Sequence, residues 1–309
     1  MAGKSSDESE LMDVGPWARE KLECLGKYLA AYTIILRKQH WLKGYFYIDA
    51  FAGPGSLKVR QEQAADPAQQ SLLEVSEYGS SDPDEVEYIS GSPRVSLELK
   101  HPFTVYVFIE LDKARIAQLE AHKAEFEAPE RRIFIREEDC NTYFNKLLSR
   151  YSVADWQRYW RGVVFLDPFG MQVPWETIAA IARTRAIEVI LNFPVGMAIQ
   201  RLLKRSGQFL DREREKLDEY FGTPQWYARL YERRQDLFGD DIVKVENSGQ
   251  VLLEWYLKRL AQIFPFVSPA RLIRGTRGHP LYYLIHAGPN ETGAKIAKDI
   301  LAQGAELSS

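Results

Sequence analysis

From Trp17 onward the apolar residues Leu22, Leu25, Leu29, Tyr32 and Leu36 recur at three- and four-residue steps, which predicts an amphipathic helix with one face packed on the domain. The next run, Gly44-Tyr45-Phe46-Tyr47-Ile48-Asp49-Ala50-Phe51, is aromatic and β-branched and closes in Ala52-Gly53-Pro54-Gly55, as a buried strand ends in a tight loop. Gly91-Ser92-Pro93 then opens a helix reaching Leu99, with Ser92 as its cap and Pro93 in its first turn. Apolar runs at 105–109, 132–135 and 163–166 are separated by helical patterns over 114–126 and 142–151. That alternation predicts a parallel sheet. A fifth run, 188–193, precedes a charged stretch from Met197 to about Phe264, in which Thr223-Pro224 and Ser248 offer helix starts. Residues 266–273 and 281–287 flank a turn-like segment, Gly275-Thr276-Arg277-Gly278-His279-Pro280, and predict a terminal antiparallel hairpin before a last helix from near Glu291.

The expected fold class is therefore α/β: a Rossmann-like, mostly parallel sheet with a terminal antiparallel hairpin and an inserted helical cap. Residues 1–16, polar and acidic, read as a disordered tail, and 17–309 as one domain. Insertions are expected at about 56–90, a hairpin or flap with short strands near 71–75 and 86–89, and at 197–264, the helical cap. A chain of 309 residues with 45% hydrophobic composition buries a large core, which fits one principal domain.

Composition narrows the function classes. Cys24 and Cys140 form no C-x-x-C pair, so neither a disulfide framework nor structural zinc is expected, and a reducing, cytoplasmic setting is the default. The N-terminus lacks the basic-then-apolar pattern of a secretory signal, and the apolar stretch 30–36 is too short to span a bilayer, so no membrane association is expected. A net charge of −3 provides no global attraction for nucleic acid or anionic lipid, although a local basic face coexists easily with such a total.

In an open α/β sheet, ligands sit beyond the carboxyl ends of the strands, where the strand order reverses. Each predicted strand ends there in a polar group and a turn: Asp49 through Gly55, Glu110-Leu111-Asp112, Asp139-Cys140-Asn141, Asp167-Pro168-Phe169-Gly170 and Asn192-Phe193-Pro194. A glycine-rich loop lets backbone approach a ligand closely, and a carboxylate ending the second strand accepts both hydrogen bonds of a ribose diol. Those features suit any nucleoside cofactor. A dinucleotide needs further amides at a helix N-terminus for its pyrophosphate, whereas Pro54 removes one N–H and a long insertion separates the loop from its helix. A ligand without phosphates is favoured.

Tyr47-Ile48-Asp49-Ala50-Phe51-Ala52-Gly53-Pro54-Gly55, Gly91-Ser92-Pro93, Phe108-Ile109-Glu110-Leu111-Asp112 and Phe165-Leu166-Asp167-Pro168-Phe169-Gly170 together resemble the three-Cys-motif partner family, as do Lys21-Leu22, Leu25, Tyr28-Leu29, Tyr32 and Asn192-Phe193. That family is similar to class I methyltransferases, and its name refers to cysteines of a partner protein. The resemblance implies S-adenosylmethionine as cofactor and a three-Cys-motif protein as partner. On the methyltransferase motifs, Asp49, Ala52, Gly53 and Gly55 line the methionine and ribose side, and Glu110 takes the ribose hydroxyls. Asp139, with Cys140 beside it, accepts from the adenine amino group; helix capping is the competing role for Asp139 and the preferred one for Asp112.

Asp167-Pro168-Phe169-Gly170 resembles the D/N-P-P-aromatic motif of amino-group methyltransferases, with Phe169 in place of the second proline. In that motif a carboxylate or amide and a neighbouring carbonyl orient the target nitrogen, and an aromatic ring stacks on a flat target. Nucleic acid is the expected target class. Asn192, Arg274 and Arg277 are the candidate substrate contacts, the two arginines because a glycine-bearing basic loop reaches phosphates closely. Arg201, Lys204, Arg205, Arg212, Arg214, Arg229, Arg233 and Arg234 are interspersed with Asp211, Glu213, Glu215 and Glu219, the pattern of a solvated, ion-paired face. Alternatives to the methyltransferase reading are a non-catalytic S-adenosylmethionine-binding scaffold and, less favoured, a nicotinamide-dependent oxidoreductase.

Overall fold

The structure is a computed structural model and describes residues 12–14, 17–53, 56–59, 87–199, 202–236, 239–275 and 278–302. Its centre is an eight-stranded sheet. Five strands are parallel: β2 (Gly44–Asp49), β5 (Val105–Ile109), β6 (Arg132–Arg136), β7 (Trp160–Leu166) and β8 (Ile187–Phe193). They lie in the order β6-β5-β2-β7-β8, so the chain builds outward from β2 to one edge and then crosses to its other side. Beyond β8 the sheet closes antiparallel: β13 (Pro280–Gly288) pairs with β8, and both β11 (Phe266–Val267) and β12 (Arg271–Arg274) pair with β13. This is the expected Rossmann-like, mostly parallel sheet with its terminal hairpin.

Helices cover both faces, which is why the parallel strands are apolar on both sides instead of alternating. α1 (Trp17–Leu36), α2 (Ser92–Leu97), α3 (Lys113–Phe126) and the last helix (Glu291–Ala302) bury Leu22, Leu25, Leu97, Leu119 and Ala297 against Tyr47, Tyr106 and Phe165. The other face packs α4 (Cys140–Leu148), α5 (Val153–Tyr159) and α6 (Trp175–Arg183) on Phe46, Ile48 and Val164. Among the described residues no helix is long and apolar enough to cross a membrane.

Three expectations need correction. The segment 1–16 is not without structure throughout, because Met12–Val14 forms β1 and pairs parallel with β3 (Ser56–Val59), which pairs antiparallel with β4 (Glu87–Ser90). The expected strand at 71–75 lies outside the described residues. The insertion after β8 is not wholly helical: helices Asp211–Phe221, Gln225–Leu230 and Ser248–Ile263 are joined by an antiparallel hairpin of β9 (Tyr231–Asp236) and β10 (Gly239–Lys244). Its charged residues mask the alternation that marks a strand, and its apolar partners come from the neighbouring helices, as Tyr231 stacking on Tyr227 at 4.7 Å illustrates. Finally, Gly91 rather than Ser92 is the N-cap of α2, while Pro93 sits in the first turn as expected.

Candidate functional site

Because the five parallel strands point the same way, their carboxyl ends share one rim, and β2 and β7 meet at the reversal of strand order. The loop leaving β2 is threaded between its neighbours: Ala50 N–H donates to the Phe165 carbonyl of β7 and Ala52 N–H to the Ile109 carbonyl of β5. Gly53 then takes φ +60°, where a side chain is strained, and among the described residues only the Phe51 carbonyl at 4.0 Å approaches the position of its absent Cβ.

Glu110, ending β5, clamps that loop. One carboxylate oxygen accepts from Gly53 N–H at 3.0 Å; the other accepts from Leu111 N–H at 2.8 Å and Asp112 N–H at 2.9 Å. Arg115 lies 3.7 Å away and balances its charge. The glycine loop and the second-strand carboxylate, far apart in sequence, are thus in direct contact on one face.

Asp49 is completely buried at the end of β2. It accepts from the Tyr47 hydroxyl at 3.2 Å and Phe51 N–H at 3.4 Å, and is hydrogen-bonded by Ser92. Burial pushes its carboxyl from the usual 3.8 up to about 7; Ser92 opposes the shift and the nearby Asp167 charge adds to it. Asp139 caps α4, accepting from Thr142 N–H at 2.9 Å, and Asp112 caps α3 through Arg115 N–H at 3.0 Å. The capping role preferred for Asp112 therefore holds, and Asp139 stands at the rim end of β6 with the same structural duty. The side chain of Cys140 is turned into the core, where burial pushes its thiol up to about 12.

At the end of β7, Asp167 receives two partners. Lys21 of α1 forms an ion pair with it, and the Asn192 amide at the end of β8 donates to it at 2.6 Å. Asn192 is buried, and its own carbonyl oxygen has no hydrogen-bond partner among the described residues. Pro168 is buried, whereas Phe169 is 71% exposed. Lys21 also lies 5.5 Å from the ring centre of Tyr282 on β13, whose buried hydroxyl is likewise unpartnered. Lys21 and Tyr282 belong to the site, yet sequence reasoning did not assign them there: a lysine on a helix with exposed turns carries no sign that its head group reaches a strand end.

Arg274, the last residue of β12, reaches the same rim and donates to the Gly278 carbonyl at 2.7 Å, closing its own turn. Arg277 and Gly55 lie outside the described residues, as does Arg201. The interspersed charges of the insertion behave as a solvated face: Lys204 pairs with Glu213 at 2.7 Å, and Arg214 lies 4.9 Å from the Tyr227 ring. Among the described residues no group of His, Cys, Asp and Glu is placed to hold a metal ion.

No protein-family model and no curated protein matches the chain. Among solved structures it is similar to a protein of Legionella pneumophila at 11% identity, covering 91% of this chain and 92% of that one, with a TM-score of 0.46. It is also similar to magnesium protoporphyrin IX methyltransferase of Synechocystis PCC 6803 with bound S-adenosylmethionine, at 9% identity, 93% and 86% coverage and a TM-score of 0.30. The N-terminal domain of EvdMO1 with bound S-adenosylhomocysteine matches at 9% identity, 85% and 81% coverage and a TM-score of 0.33. The strand order and its reversal, read from the chain itself, define the fold.

Proposed function

We propose that the protein is an S-adenosylmethionine-dependent methyltransferase acting on an amino group of nucleic acid. The observation that carries the cofactor reading is the clamp between Gly53 and Glu110: a glycine loop and a carboxylate at adjoining strand ends, next to the reversal of strand order. That donor and acceptor set fits a nucleoside. Glu110 would turn to the ribose hydroxyls, Gly53 and Ala52 would lie against the sugar and methionine portions, and Asp49 would face the cationic end. Bound there, S-adenosylmethionine supplies an electrophilic methyl group on sulfur.

The acceptor side rests on Asp167, Asn192 and Pro168. A target amino group placed at this corner finds the unpartnered Asn192 carbonyl oxygen, the Pro168 carbonyl and, once Lys21 moves aside, the second oxygen of Asp167. Acceptors so arranged aim the nitrogen lone pair at the methyl carbon, and positioning supplies much of the rate in an in-line displacement. The exposed Phe169 ring stands beside them as a stacking surface for a flat base. The family resemblance adds a three-Cys-motif protein as the proposed partner.

Titration calorimetry with S-adenosylhomocysteine tests the cofactor half. Saturable binding is expected, weakened about ten-fold or more by Glu110→Ala, since a charged acceptor for several N–H groups is lost. Absence of binding by the folded protein refutes the proposal. Transfer of a radiolabelled methyl group to total RNA or DNA, lost in Asp167→Ala, tests the second half. One observation favours a non-catalytic scaffold instead, namely that both Asp167 oxygens are already taken by Lys21 and Asn192; cofactor binding with no transfer to any macromolecular fraction would establish that second reading.

A further inference from the structure

The amino ends of the parallel strands form the opposite rim, and cations gather there. Arg37 and Lys43 lie in the connection into β2, Arg132 begins β6, Arg158 closes α5, Arg161 is the second residue of β7 and Arg185 precedes β8. Parallel pairing places these residues in one row: Gly44 stands opposite Trp160, Tyr45 opposite Arg161, Val105 opposite Arg132, and Gly162 opposite Ile187. With strands about 4.8 Å apart, the row from β6 to β8 runs roughly 20 Å.

None of these six cations forms an ion pair with a carboxylate among the described residues. The carboxylates of the same rim are engaged locally: Glu98 pairs with Arg94, Glu127 accepts from Ile133 N–H, and Asp155 accepts from the Ser152 hydroxyl, while Glu130 sits exposed in the turn before β6. Several of the cations are held against rings instead. Arg161 lies 4.9 Å from the ring centre of Trp41, and Lys43 and Arg158 lie 4.0 and 5.3 Å from that of Tyr159. Trp41 is 53% exposed, and Tyr151, packed edge-on to Trp156, is 43% exposed.

We infer that this rim is a docking surface for single-stranded nucleic acid. A row of cations with no carboxylate partner among the described residues tracks a phosphate backbone, and fixed, half-exposed rings among them provide stacking faces for bases, the combination that non-sequence-specific single-strand binding requires. Five of the six cations are arginines: Arg161 donates to the Gln157 and Trp160 carbonyls and Arg37 is bonded to His101, while Arg132, Arg158 and Arg185 are exposed, with planar forks that grip phosphate oxygens in pairs. The overall charge of −3 hides this surface, because a total does not say where along the fold the charges lie. The two rims are separated by the length of the strands, about 20 Å, and the inference stands independently of the cofactor reading.

Fluorescence anisotropy with a fluorescein-labelled 20-nucleotide oligouridylate, at about 50 mM salt, provides the test. Saturable binding is expected, with log K falling linearly with log salt. Lys43→Glu with Arg158→Glu should weaken binding at least ~10-fold and flatten the salt slope by about one to two. Trp41→Ala should weaken it ~5-fold or more with the slope unchanged. Arg212→Glu, on the insertion, should bind as the unaltered protein does. Circular dichroism melting and retained S-adenosylhomocysteine binding establish that the variants are folded. The inference is overturned if the oligonucleotide does not bind saturably, if the rim variants bind it unchanged, or if vesicles of phosphatidylserine and phosphatidylcholine are bound while the oligonucleotide is not.

Discussion

Asp49 concentrates the electrostatics of the candidate site in one side chain. It is fully buried, and its titration near 7 means that the folded protein holds this proton far more tightly than the unfolded chain, where the ordinary value is 3.8. Between about pH 4 and 7 the native state therefore binds more protons than the unfolded state, and the contribution of this group to stability falls as pH rises through that window. A cation brought beside Asp49 favours its charged form and so expels the proton. Binding of the proposed sulfonium cofactor near pH 7 is expected to release protons, visible as a dependence of calorimetric heat on the ionisation enthalpy of the buffer. Asp49→Asn should abolish that dependence and flatten the fall in urea stability between about pH 4 and 7; an unchanged buffer dependence in the variant would count against this role. The carboxylate itself is visible in the sequence, but its titration depends on Ser92 and Asp167, which the chain brings in from 43 and 118 residues away.

Among the elements, the turn after β8 shows how closely backbone must approach backbone for the site to form. Val195–Ile199 adopts a π-helical turn, and a Cβ on Gly196 would stand 2.0 Å from the Pro280 carbonyl oxygen at the start of β13. Neither partner is a side chain that can swing away. Gly196→Ala should shift β13 relative to β8, on which Asn192 sits, and destabilise the protein by roughly 1–3 kcal/mol; a thermal midpoint equal to that of the unaltered protein would contradict this. Periodicity identified α1, the five parallel strands, the terminal hairpin and the last helix, because each has an apolar face or run set by its own residues. It missed α6, whose Trp175, Ile178 and Ile181 fall at helical spacing directly after the turn following β7, and it missed β9 and β10, whose apolar partners lie in other elements.

Across the whole molecule, a buried polar cluster ties three elements together. Glu188, the second residue of β8, accepts a hydrogen bond from the Tyr28 hydroxyl of α1 and contacts His286 Nε2 of β13 at 3.0 Å, while Tyr28 and His286 are 2.9 Å apart. A Cβ on Gly293 of the last helix would stand 2.7 Å from both Glu188 oxygens, so that helix packs directly over the cluster. Tyr28→Phe leaves a buried carboxylate short of a donor and should cost roughly 1–3 kcal/mol in urea unfolding. Because the same helix carries Lys21 to Asp167, the loss is expected to loosen that ion pair as well. The amino-acid sequence alone determined the α/β class, the order of the main elements and the polar groups ending each strand, since these follow from local periodicity and turn chemistry. Only the tertiary structure decided which of those groups meet: that Glu110 clamps Gly53, that Lys21 and Asn192 share Asp167, and that arginines with no carboxylate partner among the described residues line the opposite rim. Such contacts depend on strand order and helix packing over long separations, which no local pattern encodes.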